Sequence, residues 1–397
     1  MNQKNILLAL AITLCPAAWS QSKQITVKNP QSVAVNHYPV VVKLADKTVK
    51  SAIVKDGKAT LPYQLDDLDG DGQYDELFFQ TDLKPKEKKT FDISFSSQPS
   101  DEVFEPQVYI ELMLTNKKVK ESNKQDLYIS HLTVDQGVNP YWMLHHHGTA
   151  FENKLVAYRI YFDHRQTVDI YGKYHQGLEL KETQFYPDDT QKATGYGDDV
   201  LWVGSTLGLG TLRGWDGSKP VMLEDVKHRT QRIVARGPLR TIVEVKDEGW
   251  VPTAGAQPVD MTQTYTLTAG RRDCRVDVRF NRPIQDIPLC TGIINVKNSV
   301  EYTDHHGVRG CWGTDWPVSA KDSVGHKRET VGLGIYIPQQ YIATEEPANK
   351  DNYAYVLSVP TDHFTYYITF GSDNEEFGYH SAQAWFDHLK AWKRELE

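Results

Sequence analysis

Apolar and polar residues alternate with a period of two through most of the chain, in short runs divided by glycine, proline, asparagine and aspartate. That period turns successive side chains to opposite faces, so the runs read as β-strands with one buried face. Between residues 24 and 95 they are "QITVKN", "YPVVVKL", "KATLPYQL", "DELFFQTDL" and "KTFDISFS". Their length and turn spacing predict a small immunoglobulin-like sandwich over residues 21–100. The polar stretch "SSQPSDEVFEPQ", with Pro99 and Pro106, predicts a break between residues 96 and 106. Residues 107–397 continue with longer alternating segments, among them "RTIVEVK", "MTQTYTLTAG", "CRVDVRF", "VGLGIYIP" and "HFTYYITF". They predict a large antiparallel β domain. Only the tail from Ser381 to Leu396 has helical spacing, with Ala384, Phe386, Leu389 and Trp392 on one face. The class is all-β with a C-terminal helix.

The first twenty residues follow another pattern. Lys4 gives a short positive start, Ile6 to Leu14 is apolar but too short to span a bilayer, and Ala18-Trp19-Ser20 suits signal cleavage before Gln21. The expected mature protein is therefore exported, periplasmic or secreted. No later run is long and apolar enough for a membrane helix. The formal charge of −8 becomes −9 once Lys4 is removed. Such a chain does not coat nucleic acid by bulk attraction, and a bound anion would need a local cluster. No protein partner is implied. Of the mature cysteines, Cys274 alternates with Val276, Val278 and Phe280 and so points into a core, while Cys290 and Cys311 stand near loops as a candidate disulfide.

Chemistry is left to local clusters, and the densest is "YWMLHHHGTAFENKLVAYRIYFDHRQTVDIYGK", residues 141–173. Two strands there are predicted to form a hairpin. Val156, Tyr158, Ile160 and Phe162 face a core with Val168 and Ile170, and Phe162 lies opposite Val168. The other face then carries Arg159, Tyr161, Asp163, Asp169, Tyr171 and Lys173, with Tyr161 across from Asp169 and Arg159 across from Tyr171. Tyrosine rings stack on the C–H faces of a pyranose, and a guanidinium or ammonium holds a carboxylate. Histidine moves protons near neutral pH. The candidate base is His147, then His146; Lys173 or Arg159 neutralises a carboxylate, and Tyr161 or Tyr171 is the acid. Glu152 is an alternative catalytic carboxylate, and Asp169, Tyr171, Trp142 and His145 are candidate sugar contacts. A metal would use His145, His147 and Glu152, but no H-x-x-x-H or H-E-x-x-H spacing supports one. No cofactor is expected for catalysis.

In "DDLDGDGQYDELFF", Asp67, Asp69, Asp71 and Asp75 stand at positions 1, 3, 5 and 9 of a calcium-like loop. Phe78 occupies position 12, so this is not an EF-hand. The alternatives are a structural calcium ion and a plain acidic turn. "TDHHGVRGCWGTDWP" and "GYGDDVLWVGSTLGLG" offer His305, His306, Trp312, Trp316, Asp198, Asp199 and Trp202 as pocket-mouth candidates. No G-x-S-x-G elbow is present to anchor a hydrolase triad.

The stretches "HHHGTAFENKLVAYRIYFDHRQTVDIYGK" and "GDDVLWVGSTLGLGTLRGWDG" resemble domain-of-unknown-function family 4861, secreted Bacteroidetes proteins encoded among genes for degrading pectin and other plant glycans. The strands from "GPLRTIVEV" to "RVDVRF" also resemble the galactose-mutarotase-like β-supersandwich shared with some polysaccharide lyases. That likeness implies sugar chemistry without fixing a reaction; the His–Glu pair of mutarotases and the Lys–His pair of the lyases find no matching motif here. The expected function is a carbohydrate-active enzyme acting on uronic-acid-containing pectic oligosaccharides by proton abstraction beside a carboxylate, as in β-elimination. The alternatives are a sugar mutarotase or epimerase and a non-catalytic glycan-binding protein.

Overall fold

The computed structural model describes residues 19–115, 127–183 and 185–397, so the expected signal segment, apart from Trp19 and Ser20, lies outside the described residues. The first strand, Trp19–Lys28, pairs with Lys88–Ser96, and the expected cleavage point before Gln21 falls within it. These two strands form a four-stranded sheet with Ser51–Asp56 and Ala59–Leu61, while Val35–Lys43, Glu76–Leu83 and Tyr63–Asp66 form a three-stranded one. Val40, Val42, Val54, Leu77, Phe79, Phe91 and Ile93 fill the space between the sheets. "KATLPYQL", read from the pattern as one strand, is two. Pro62 has no N–H for a ladder, and the chain changes sheets at that residue.

After Ser96 no strand forms until Val108. The rest is built on a nine-stranded antiparallel sheet. Its order is Val300–Thr303, Val308–Asp315, Glu329–Tyr336, His363–Ser372, Cys274–Phe280, Val259–Thr268, Arg240–Trp250, His228–Arg236 and His131–Asp135. Two five-stranded sheets pack against it. One runs Asp198–Asp199, Val168–Gly172, Ala157–Tyr161, Gly148–Asn153, Val108–Glu111, and the other is centred on Leu289–Ile294 and Asn352–Leu357. All three sheets contribute to one core, for example through Val243, Tyr265, Val276, Leu333, Ile160, Ile170, Ile293 and Tyr355.

The helix Ala382–Leu396 buries Trp385, Phe386, Leu389 and Trp392, so Trp385 takes the place expected for Ala384, which is exposed. It sits close because glycines lie beneath it. A Cβ on Gly310 would meet Leu389 at 2.3 Å, and one on Gly332 would meet Trp385 at 2.6 Å. Cys274 is buried as expected. Cys290 and Cys311 do not pair: both are free and buried, in separate clusters around Trp215 and in the main core. No helix among the described residues is long and apolar enough to cross a membrane.

Candidate functional site

The hairpin of Ala157–Tyr161 and Val168–Gly172 sends Tyr158, Ile160, Val168 and Ile170 into the core, as the alternation requires. Its register differs from the expected one by two residues: Arg159 pairs with Asp169 and Ala157 with Tyr171. A slip of two keeps every side chain on its face. The cause is a wider turn, in which Asp163 accepts from the Arg165 backbone N–H at 2.8 Å and Gln166 adopts a φ of 44°.

The polar face is not an open surface. Leu180, from the short helix Leu180–Thr183, and Phe185 pack over it on Ala150, Ala157 and Tyr171. At this closed end the Lys173 ammonium donates to Glu152 at 2.5 Å, to the Asn153 carbonyl at 2.7 Å and to the Gly177 carbonyl. The second Glu152 oxygen accepts from the Glu179 and Leu180 N–H groups at 2.8 and 2.7 Å. Tyr171 donates to Glu179 at 2.9 Å. Lys173, Glu152 and Tyr171 are each 0% exposed. Lys173 and Glu152, expected in catalysis, and Tyr171, expected as the acid or a sugar contact, here spend their polar atoms on hydrogen bonds within the protein.

At the other end Arg159, Tyr161 and Asp169 are buried too, while Tyr186 and Asp199 reach solvent. Arg159 donates to Asp169 at 2.7 Å, to Asp199 at 2.7 Å, to the Tyr161 hydroxyl at 2.9 Å and to the Tyr186 hydroxyl at 2.6 Å. Tyr161 in turn donates to Asp169 at 2.7 Å. One guanidinium thus serves two carboxylates and two phenols. Burial, and Asp169 beside it, push the Asp199 carboxyl well above the usual carboxylate range despite Arg159. Burial likewise pushes Tyr186 up to about 12 and Tyr161 well above the ordinary phenol.

The histidine run is neither extended nor the end of a strand. It is a tight turn, His145–His147, in which His146 and His147 take φ of 55° and 60°, a region costly for residues with a Cβ. A buried pair holds it there. Nε2 of His146 meets a Glu111 oxygen, and the Tyr109 hydroxyl meets the same carboxylate. His146 and Glu111 are 2% and 0% exposed. Against its burial, His146 and Tyr109 hold Glu111 below the usual carboxylate range. His147 points the other way. Its Nδ1 lies 2.9 Å from the Tyr141 carbonyl, and its ring stacks on that of Tyr141 with centroids 3.7 Å apart. Burial lowers His147 to about 4, as it does His145. A carbonyl only accepts, so the neutral ring carries its proton on Nδ1 and a lone pair on Nε2. Tyr186 lies 6.4 Å from this ring, linking it to the Arg159 cluster. Trp142, 73% exposed, flanks the opening with its ring edge-on to His147, and Trp202 is exposed as well.

Asp67, Asp69 and Asp71 bring oxygens within 4.8 Å of one another, the one such metal-type grouping among the described residues. Asp75 stands apart, paired to Lys47 and accepting from the Leu68 N–H at 2.7 Å. His305 and His306 are exposed in a turn, and Trp312 packs beneath the C-terminal helix. Sequence reasoning missed Glu111, Tyr186, Glu179 and Arg165. An acid inside the apolar run "VYIELML" was a usable sign of Glu111; Tyr186 and Glu179 lie in a polar stretch without periodicity.

Two solved structures are similar to this chain over part of their length. One is a protein of glycosyl hydrolase family 38 from Enterococcus faecalis, with TM-score 0.47 and 10% identity over 95% of this chain and 47% of that one. The other is an alpha-mannosidase from Enterococcus faecalis V583, with TM-score 0.47 and 10% identity over 95% of this chain and 45% of its own. The chain spans about half the length of each. No curated protein matches it. The family model described as "Domain of unknown function (DUF4861)" matches residues 27–397, and the chain belongs to that family.

Proposed function

We propose that the protein is an exported carbohydrate-active enzyme that moves protons on a sugar ring, with His147 as base and Asp199 as acid. The observation that carries this reading is the state of the two groups. The hydrogen bond of His147 to Tyr141 leaves a basic nitrogen free, and burial with Asp169 alongside favours the protonated form of Asp199, against Arg159. Two titratable groups pushed apart in this way suit acid–base work near neutral pH. Trp142 and Tyr186 supply exposed ring faces for a pyranose.

The substrate proposed is a uronic-acid-containing oligosaccharide of the pectic type, cleaved by β-elimination. His147 takes the C5 proton, the C4–O4 bond breaks, a C4=C5 double bond forms, and Asp199 protonates the departing oxygen. Arg159, Lys173 and Arg165 are each bound to a protein carboxylate, Arg165 to Asp163 at 2.6 Å while it lies 4.9 Å over the Tyr141 ring. A second reading, mutarotation or epimerisation, is favoured by the same pair's being complete without a free cation.

Incubation with pectic oligosaccharides separates the readings: ultraviolet absorbance reports unsaturated uronate, and exchange of reducing-end anomers reports mutarotation. His147→Ala is expected to lower whichever rate is found by about 100-fold or more with the fold intact. An unchanged rate in this variant removes His147 from the chemistry. Sugar binding without product on any substrate makes the protein a glycan binder instead.

A further inference from the structure

A cleft of about 820 Å³ lies between the N-terminal sandwich and the outward face of the nine-stranded sheet. Its floor follows from the alternation in "MTQTYTLT". Met261, Gln263, Tyr265 and Leu267 are buried, which turns Thr264 and Thr266 outward, and both line the cleft. On the next strand Asp277 lies opposite Thr264 and Arg275 opposite Thr266, and Tyr367 stands beside Arg275 one strand further on. Adjacent strands run about 4.8 Å apart, so two hydroxyls, a guanidinium and a carboxylate form one compact tetrad. Tyr38 and Val41 of the sandwich and Glu395 of the C-terminal helix also line the cleft.

The protein uses only part of this tetrad. Arg275 donates through Nε and Nη2 to Oδ1 of Asp277 at 3.1 and 2.7 Å, and Thr365 donates to the same oxygen at 2.6 Å. Among the described residues, Nη1 of Arg275, Oδ2 of Asp277 and the hydroxyls of Thr264 and Thr266 have no hydrogen-bonding partner.

We infer that this cleft binds a neutral oligosaccharide, whose hydroxyls bridge Arg275, Asp277 and the two threonines. A sugar hydroxyl both donates and accepts, and here a free donor and a free acceptor stand beside two protein hydroxyls that can do either. Charge disfavours an anion: six acids and four arginines line the cleft, with no lysine or histidine among them. An added peptide strand has no place to pair, because the strands of the floor have a neighbour on both sides. An apolar ligand would take water from the Arg275–Asp277 pair and return no hydrogen bond. No residue of the His147 site lines this cleft, so the inference stands apart from the proposed catalysis.

The test is calorimetric titration of the full chain with the neutral β-1,4-linked tetrasaccharides of galactose, glucose, mannose and xylose, and with tetragalacturonate. The wild type is expected to bind at least one of the neutral sugars. Thr264→Val combined with Thr266→Val should weaken that binding by about tenfold or more, the scale of two neutral hydrogen bonds. Valine keeps the β-branched shape that suits a strand, so the sheet should stay folded. Arg275→Gln should act in the same direction. His147→Ala should leave the neutral sugar bound, and any tetragalacturonate binding should be untouched by the threonine changes. A wild type that binds no neutral sugar overturns the site, as does neutral binding that survives both the threonine and the arginine changes. Loss of neutral binding in His147→Ala, or loss of tetragalacturonate binding in the threonine variant, overturns it as well.

Discussion

His147 is useful as a base because of the bond on its other nitrogen. The Tyr141 carbonyl fixes the tautomer, and burial keeps the ring neutral until the pH falls through about 4 rather than the usual 6.5. The acid limb of kcat/KM should accordingly lie near pH 4, and a limb near 6.5 would assign the proton to another group. The alkaline limb should follow loss of the Asp199 proton, above the ordinary carboxylate range. Stability follows the same sign. A histidine depressed in the folded state binds its proton more readily when unfolded, so stability is present above pH 6.5 and is lost as pH falls toward 4. Glu111 supports His147 from behind through His146. Glu111→Ala would strand a buried imidazole, and urea denaturation should show a loss of about 3–5 kcal/mol. A loss under about 1 kcal/mol would mean that the turn does not depend on the pair.

Among the elements, the His145–His147 turn and the strand after it form one device. A Cβ on Gly148 would lie 1.9 Å from the Ile160 carbonyl, so only glycine lets the turn close onto the hairpin. The Asp67–Asp71 turn is built differently. Its carboxylates cap the N–H groups of Gly70, Asp71, Gly72 and Gln73 at 2.7 to 3.1 Å, leaving exposed oxygens close together. A structural calcium ion across Asp67, Asp69 and Asp71 is proposed there. Millimolar calcium should then raise the thermal midpoint over that in chelator, by mass action on the folded state. Equal midpoints would leave a turn held by its own hydrogen bonds.

At the scale of the whole molecule, the two cores meet across a seam of buried polar contacts. Arg240 donates to Asp66 at 2.7 Å and to Glu76 at 2.8 Å, over the Phe78 ring. Gln64 accepts from the Leu239 and Arg240 N–H groups at 2.9 Å. We propose that the N-terminal sandwich is a separate domain clamped here. Arg240→Ala should cost about 3–5 kcal/mol, since it leaves Asp66 buried without its cation. Denaturation should then split into two transitions, the sandwich melting first; a single transition at the wild-type midpoint would remove the clamp. The cleft of about 820 Å³ lies along this seam.

Period-two alternation by itself determined the all-β class, five strands of the nine-stranded sheet and the buried face of the site hairpin, and helical spacing determined the C-terminal helix. Those are local properties: backbone geometry couples each side chain's face to its neighbours two or four residues away. What lies above the polar face was decided only in the tertiary structure. Arg159, Tyr161, Asp169, Tyr171 and Lys173 share a face in the sequence pattern. Yet Lys173 and Tyr171 are sealed while Arg159, itself buried under Phe185, reaches Tyr186 and Asp199 at the rim, because Leu180 and Phe185 pack over the hairpin and Tyr186 stands half-exposed at its edge. The same holds for the histidines. Glu111 is 35 residues from His146, and Asp199 is 40 from Arg159. Contacts across such distances depend on sheet order and register, which alternation does not encode. Burial then sets which of these groups carries a proton, and burial belongs to the assembled molecule.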